Sequence, residues 1–338
     1  MNWRRAVFAA VVLAALANAV GWWHARSLCR FTTSGEKTRP PADLGFMEKA
    51  RVLLAGVRIP HPRHEKTPAD YGLRFESIRI PSGQAGEPRL SAWRVPRKDA
   101  QAVVMLFHGY TASASQNLPA AAILSRLGYE TVLVDFRGCG DSEGDETGLG
   151  YDEGRDVVRA YKALPDGRPV ILLGESMGSA AILRAVADGG IAPAAIILEH
   201  PFDSLLHTVE ARFRLMGLPA EPGAVLLTFW GGARHGFNGL RFSPACDARS
   251  VRCPALVFHG ALDPMVSRAE AERVLDGLSG LKRFVEVPGV GHSSTAGSAP
   301  EAWRNEVRAF LRKALGQGSR SAIRNALRPP LDSMTACC

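Results

Sequence analysis

Short apolar runs alternate with amphipathic stretches over most of this chain. Val103–Phe107, Thr131–Asp135, Val170–Leu173, Ala195–Leu198, Ala255–Phe258 and Arg283–Val287 are short and rich in aliphatic residues. They read as strands, most of them buried on both faces. Leu118–Leu127, Glu153–Leu164, Ser179–Ala187, Arg268–Leu278 and Ala302–Leu315 lie between or after them and read as helices. Such alternation predicts an α/β fold, with a mostly parallel central sheet and helices on both faces. Two earlier strands, Arg74–Ile80 and Leu90–Val95, flank a Gly/Pro turn and read as an antiparallel pair.

One stretch breaks the rhythm. From Glu199 to Arg252 no buried-strand pattern occurs; Leu205–Met216 and Ala224–Trp230 read as helical, and Gly231–Gly236 reads as a loop. Two readings stand. The segment is a small helical cap at about residues 200–252 that shapes an apolar pocket with Phe213, Met216, Phe229, Trp230 and Phe237, or it is a set of ordinary packing helices.

The ends of the chain differ from its body. Arg4 and Arg5 precede 18 uncharged residues, Ala6 to Trp23, which is the lower limit for a membrane-spanning helix. Trp22 and Trp23 suit a membrane interface. Ala17-Asn18-Ala19 also has the small-residue form of a signal-peptidase site. Residues 1–23 are therefore expected to be a single-pass anchor or a cleaved signal, the latter leaving a secreted or periplasmic protein. Residues 24–69 read as a juxtamembrane connector, with an amphipathic stretch at Leu44–Val57. Residues 70–315 read as the main domain, and 316–338 as a flexible basic tail.

Of the net charge of +8, residues 1–39 carry +5 and residues 312–338 carry +4, leaving the body near −1. The basic excess sits in the tails, which argues against a nucleic-acid-binding face. The six cysteines contain no C-x-x-C pair. Cys246 and Cys253 are spaced for a bridge across a short loop or for two buried thiols.

The chemistry centres on Gly174-Glu175-Ser176-Met177-Gly178, directly after the run Val170–Leu173. A strand breaking into a helix through G-x-S-x-G is a nucleophile elbow. The turn forces the serine into a strained backbone conformation and exposes its hydroxyl at a helix N-terminus; glycines on both sides permit close backbone approach. A serine hydroxyl needs a general base, and the base needs an orienting acid. Asp263 and His292 each follow a strand, and the order Ser176, Asp263, His292 is the one this arrangement uses. Asp203, after Ala195–Leu198, is a rival acid or a helix cap. The oxyanion donors are expected to be the backbone N–H groups of Met177 and Tyr110. His108 is expected to pin the Tyr110 loop, not to act as a base. No metal or organic cofactor is required.

These residues resemble the α/β-hydrolase superfamily. The resemblance rests on His108-Gly109, on Asp135-Phe136-Arg137-Gly138-Cys139-Gly140-Asp141-Ser142, on the Ser176 elbow, and on Asp263 and His292. The D-x-R-G-x-G-x-S segment is similar to the serine aminopeptidase S33-like and monoglyceride-lipase-like branch. The N-terminal apolar segment makes the chain similar to the membrane-anchored Bem46-like group. The resemblance implies the α/β-hydrolase fold and a serine hydrolase acting on carboxylic esters, with lipid-like acyl substrates met at the membrane. Peptide or amide cleavage, thioester cleavage and a non-enzymatic binding module are the alternatives. Asp135 and Arg137 are expected to hold their own loop through a charge-assisted hydrogen bond.

Overall fold

The computed structural model describes residues 3–163 and 167–325. Among them, β1 (Glu76–Ile80), β2 (Leu90–Val95), β3 (Val103–Phe107), β4 (Glu130–Val134), β5 (Val170–Glu175), β6 (Ala195–Glu199), β7 (Ala255–Gly260) and β8 (Lys282–Val287) form one sheet. The helices are α1 (Trp3–Cys29), α2 (Phe46–Ala55), α3 (Leu118–Arg126), α4 (Glu153–Ala163), α5 (Met177–Gly189), α6 (Leu205–Leu215), α7 (Gly223–Arg234), α8 (Pro244–Asp247), α9 (Arg268–Gly277), α10 (Thr295–Ser298) and α11 (Pro300–Asn325).

The strand order is β1-β2-β4-β3-β5-β6-β7-β8. β1 pairs antiparallel with β2 and β2 antiparallel with β4, while every pair from β4 to β8 is parallel. Successive residues of a strand face opposite sides of a sheet. Val104 and Leu106 of β3 accordingly pack with α3 and α11, against Leu124, Trp303 and Leu311. Val103, Met105 and Phe107 pack on the other side with α4, α5 and α9, against Val157, Ile182 and Val274. All five β3 residues are buried, each such side chain contributing about 1.5–3 kcal/mol of hydrophobic stabilisation. This two-sided burial is why the central strands read as continuous apolar runs. The connections turn in opposite directions on leaving the neighbouring strands β3 and β5, so their carboxyl ends border a crevice, the usual place for a ligand site in such sheets.

Several boundaries depart from expectation. α1 does not stop at Trp23; it continues to Cys29 because Ala25 and Cys29 bury against the body. Residues 24–69 are therefore not a free connector. Arg30 bridges Glu146, Thr32 bridges Pro60, and Phe31, Ile59 and Cys139 form a small buried cluster. Gly231 and Gly232 do not form a loop but lie within α7. Gly232 is needed there for contact, since a Cβ on it would sit 2.2 Å from the Gly239 nitrogen. α11 runs on to Asn325, so residues 316–325 are helical; no proline interrupts the sequence before Pro329. The remainder of the expected tail, 326–338, lies outside the described residues. Cys253 is a free thiol, so the bridge from Cys246 to Cys253 is not formed.

Candidate active site

Ser176 sits between the last residue of β5 and the first of α5, with φ +51° and ψ −108°. A non-glycine residue in that region is strained and persists only where its surroundings hold it. Here the Ser176 N–H donates to the Glu199 carbonyl at 2.8 Å. The Ser179 hydroxyl donates to the Gly174 carbonyl at 2.6 Å. The flanking glycines are dictated by space: a Cβ on Gly174 would lie 2.4 Å from the Gly178 carbonyl carbon, and one on Gly178 would lie 2.4 Å from the Phe107 carbonyl oxygen. α5 therefore packs directly on the end of β3, which brings the elbow beside the loop that follows β3.

The structure brings the three sequence-chosen side chains into one chain of hydrogen bonds. His292 Nε2 is 3.1 Å from Ser176 Oγ, and His292 Nδ1 is 2.7 Å from Asp263 Oδ2. Asp263 Oδ1 accepts from the Met265 and Val266 N–H groups at 2.8 and 3.0 Å. Asp203 is elsewhere: it pairs with Arg273 at 2.6 Å and His207 at 2.9 Å. Ser204 caps α6, accepting from the His207 N–H.

Tyr110 and Met177 both line the cavity beside Ser176. Among the described residues the backbone N–H of neither donates to a protein acceptor. Gln116 links the two loops. Its Oε1 accepts from the Gly109 N–H at 2.8 Å, and its Nε2 donates to Glu175 Oε1 at 2.8 Å. His108 is buried and pins its loop. It accepts from the Phe136 N–H at Nε2, 3.1 Å away, and its Nδ1 is 2.8 Å from the Gly109 carbonyl oxygen. Burial lowers its pKa, as suits a neutral ring. Asp135 and Arg137 do not pair with each other, as the sequence suggested. Asp135 accepts from the Ala114 and Asp141 N–H groups and meets His64 at 3.0 Å. Arg137 forks onto Asp156 of α4 at 2.7 and 3.0 Å.

Sequence reasoning missed a buried charged layer beneath the site. His200 is fully buried at φ +49°. Its Nδ1 lies 3.1 Å from Asp263 Oδ2, and its Nε2 lies 2.9 Å from the Ser293 carbonyl. Both nitrogens thus lie beside acceptors, and Nδ1 also lies 3.4 Å from the Gly260 nitrogen, whose N–H points toward it. Burial works against a positive charge on the ring, but Asp263, Glu199 and Glu175 outweigh it and raise the His200 pKa. Burial likewise opposes ionisation of Asp263, yet the hydrogen bonds from His200 and His292 hold its carboxyl well below the usual carboxylate range. Glu175 is pushed up to about 8 by burial and by Glu199. Glu199 is raised too, again first by burial. It accepts from the Thr295 N–H at 2.9 Å and the Trp303 indole at 2.5 Å, tying down the segment after His292. Only Glu175 could have been noticed beforehand, as the second residue of the elbow; nothing in sequence order points to His200. His200, Asp263 and His292 also bring three potential metal-ligand atoms within 4.8 Å of one another, but in this arrangement those atoms bond to each other.

The cavity beside Ser176 measures about 650 Å³. Phe213 and Leu227 wall it from the segment between β6 and β7, and Leu28, Val52, Leu53 and Val57 wall it from the N-terminal segment. Lys37, Arg39 and Arg212 add positive charge, while Glu175 is the carboxyl among the described lining residues. Arg39 pairs with Glu48. Arg212 lies over the Tyr110 ring, 5.9 Å from its centroid, and donates to the Thr208 carbonyl at 2.8 Å. Among the described residues no carboxylate pairs with Arg212, and burial lowers its pKa.

Comparison with known proteins agrees with this architecture. A profile of the alpha/beta hydrolase family matches residues 103–306. The lysophosphatidylserine lipase ABHD12 of Mus musculus is 28% identical over 247 residues, covering 64% of this chain and 59% of that protein. An uncharacterized protein of Mycobacterium tuberculosis is 30% identical over 238 residues, covering 68% of this chain and 78% of its own. The chain thus spans less than two thirds of the length of the mouse lipase it matches. Among solved structures, a Pyrococcus furiosus esterase superposes with a TM-score of 0.62 at 22% identity, covering 76% of this chain and 98% of that one. The Penicillium hydrolase GrgF superposes with a TM-score of 0.56 at 19% identity, covering 72% and 100%; at such identities the likeness concerns the fold. Since the matched profile runs from β3 into α11 and so takes in Ser176, Asp263 and His292, the chain belongs to the alpha/beta hydrolase family.

Proposed function

We propose that the chain is a serine hydrolase that cleaves carboxylic esters through an acyl-enzyme on Ser176. The observation that carries this reading is the unbroken Ser176–His292–Asp263 relay, at 3.1 and 2.7 Å. Ser176 Oγ attacks the ester carbonyl while His292 Nε2 takes its proton. The carbonyl electron pair moves onto oxygen, where the free N–H groups of Tyr110 and Met177 receive it. Collapse breaks the acyl–oxygen bond, and His292 returns the proton to the leaving alcohol. Water then enters, gives a proton to His292 and attacks the acyl carbon, and the acid leaves as Ser176 recovers its proton. Asp263 holds the imidazole orientation and balances the imidazolium.

The favoured substrate is a lipid-like acyl ester. The apolar walls suit a single acyl chain, and the family relatives include proteins named lysophosphatidylserine lipase. Arg212, a partly buried cation without a carboxylate partner, suits an anionic head group on that substrate. In this reading the segment of about residues 200–252 is the cap over the site, and α1 anchors the protein in a membrane; among the described residues it is the helix long and apolar enough to cross one.

The test is intact-mass analysis after treatment with a fluorophosphonate, on wild type and Ser176→Ala. One adduct on wild type and none on the variant is expected, with ester turnover falling at least about 10⁴-fold. Folded wild type that takes no label, or that turns over aminoacyl amides and no esters, would reject the ester-hydrolase reading.

A further inference from the structure

The amphipathic stretch near Leu44–Val57 forms α2, and one side of that helix is open to solvent. Phe46, Met47 and Leu54 fall at i, i+1 and i+8, which places them on a common face. Phe46, Met47 and Leu54 are 84%, 76% and 86% exposed. Large apolar side chains clustered on an exposed face mark a contact surface.

The occupant is indicated by what α2 is fastened to. Trp23 Nε1 of α1 donates to the Ala55 carbonyl at 3.3 Å, and His24 Nε2 lies 3.0 Å from the Leu53 carbonyl. These are last-turn carbonyls that no helical N–H reaches. Gly56 closes the joint at φ +78°, where a Cβ would lie 2.8 Å from Ser27 Oγ. α2 is thus held at the end of α1. Residues 3–17 of α1 are exposed throughout, and burial begins at Asn18. Asn18 Oδ1 accepts from Trp230 Nε1 at 3.1 Å, and Gly21 seats against Leu226 and Trp230. A spanning helix takes about 20 residues, more than the free part of α1 provides. With α1 in a bilayer, its contacts with α7 and α2 are drawn down to the head-group level. The inward side of α2 completes the geometry, because Val52 and Leu53 wall the cavity beside Ser176.

We infer that the apolar face of α2 rests in the surface of a lipid bilayer, and that α2 forms the mouth through which an acyl chain passes from the membrane to Ser176. Lipid contact rests on the exposed apolar face together with the anchoring of α1, as for other interfacial amphipathic helices. The passage of substrate rests on the ester-hydrolase reading.

The two parts are tested separately on the full chain reconstituted in phosphatidylcholine vesicles. A bimane label on Leu54→Cys is expected to be quenched by a doxyl group on the lipid acyl chains. The same label on Lys98→Cys, between β2 and β3 at the end of the sheet opposite the site, is expected to stay bright, with labelled wild type as background. No quenching at position 54, or equal quenching at both positions, would overturn lipid contact. The double variant Met47→Glu/Leu54→Glu is then expected to cleave a long-chain ester dissolved in the bilayer about tenfold more slowly, and a water-soluble short-chain ester at the wild-type rate. Equal losses on both esters, or loss on neither, would overturn the entrance role. Wild type inactive on both esters would instead sink the ester-hydrolase reading and, with it, the passage of substrate, leaving the quenching result to decide lipid contact.

Discussion

His200 and His292 both turn Nδ1 toward one oxygen, Oδ2 of Asp263, at distances of 3.1 and 2.7 Å. A single buried carboxylate oxygen thus serves two imidazoles, whose ring centroids lie 5.3 Å apart. His292 faces the nucleophile, whereas His200 touches neither Ser176 nor the cavity, so the role of His200 is to position and polarise the acid.

Replacing His200 by Gln keeps a hydrogen-bond donor near Asp263 and removes the titratable ring, whose pKa the neighbouring carboxylates raise. The carboxylate would then favour the protonated form of His292 more strongly. The acid limb of the kcat/KM–pH profile is expected to move to higher pH, with kcat down about 10–100-fold. A merely structural role would lower the rate without moving the limb, so the pH–rate profile is the deciding measurement.

Glu175 binds its proton more tightly in the folded chain than in the unfolded one, its pKa rising from 4.5 to about 8. Between those values the folded state holds more protons, so stability is full below about 4.5 and falls as pH rises through 8. Glu175→Gln removes this proton exchange and retains an acceptor for Gln116. The variant is expected to lose less Tm than wild type between acid and alkaline pH, by several degrees, in thermal melts across that range. Melts that fall in parallel would show that Glu175 is ionised when folded.

Arg212 tests the head-group preference. Arg212→Met keeps much of the side-chain volume and removes the charge. A hydrogen bond to a charged group contributes about 1.5–3 kcal/mol. Turnover of an anionic monoacyl ester is therefore expected to fall about 10–100-fold relative to a neutral one of equal chain length. An unchanged ratio of kcat/KM values would place the anion elsewhere.

The strands and their order of use were legible because burial on both faces writes a continuous apolar run, as in Val103–Phe107. The elbow was legible because close backbone contact admits only glycine at 174 and 178. Asp263 and His292 were legible because each follows the carboxyl end of a strand, as Ser176 does. The boundaries that misled are those where local composition and tertiary contact disagree. Gly231-Gly232 reads as a loop, yet lies in a helix because Gly232 packs against Gly239. His24 to Cys29 reads as the start of a connector, yet continues α1 because Ala25 and Cys29 bury.

The sequence by itself determined the sheet, the turn at Ser176 and the candidate chemistry, since those depend on periodicity and on steric demands within a few residues. Only the tertiary structure decided the rest. His200, Gln116 and Glu199 acquire their partners across gaps of many residues, and α2 becomes a cavity wall because the last turns of α1 hold it there. Hydrogen bonds of this kind follow from how finished elements stack, and no local pattern encodes them.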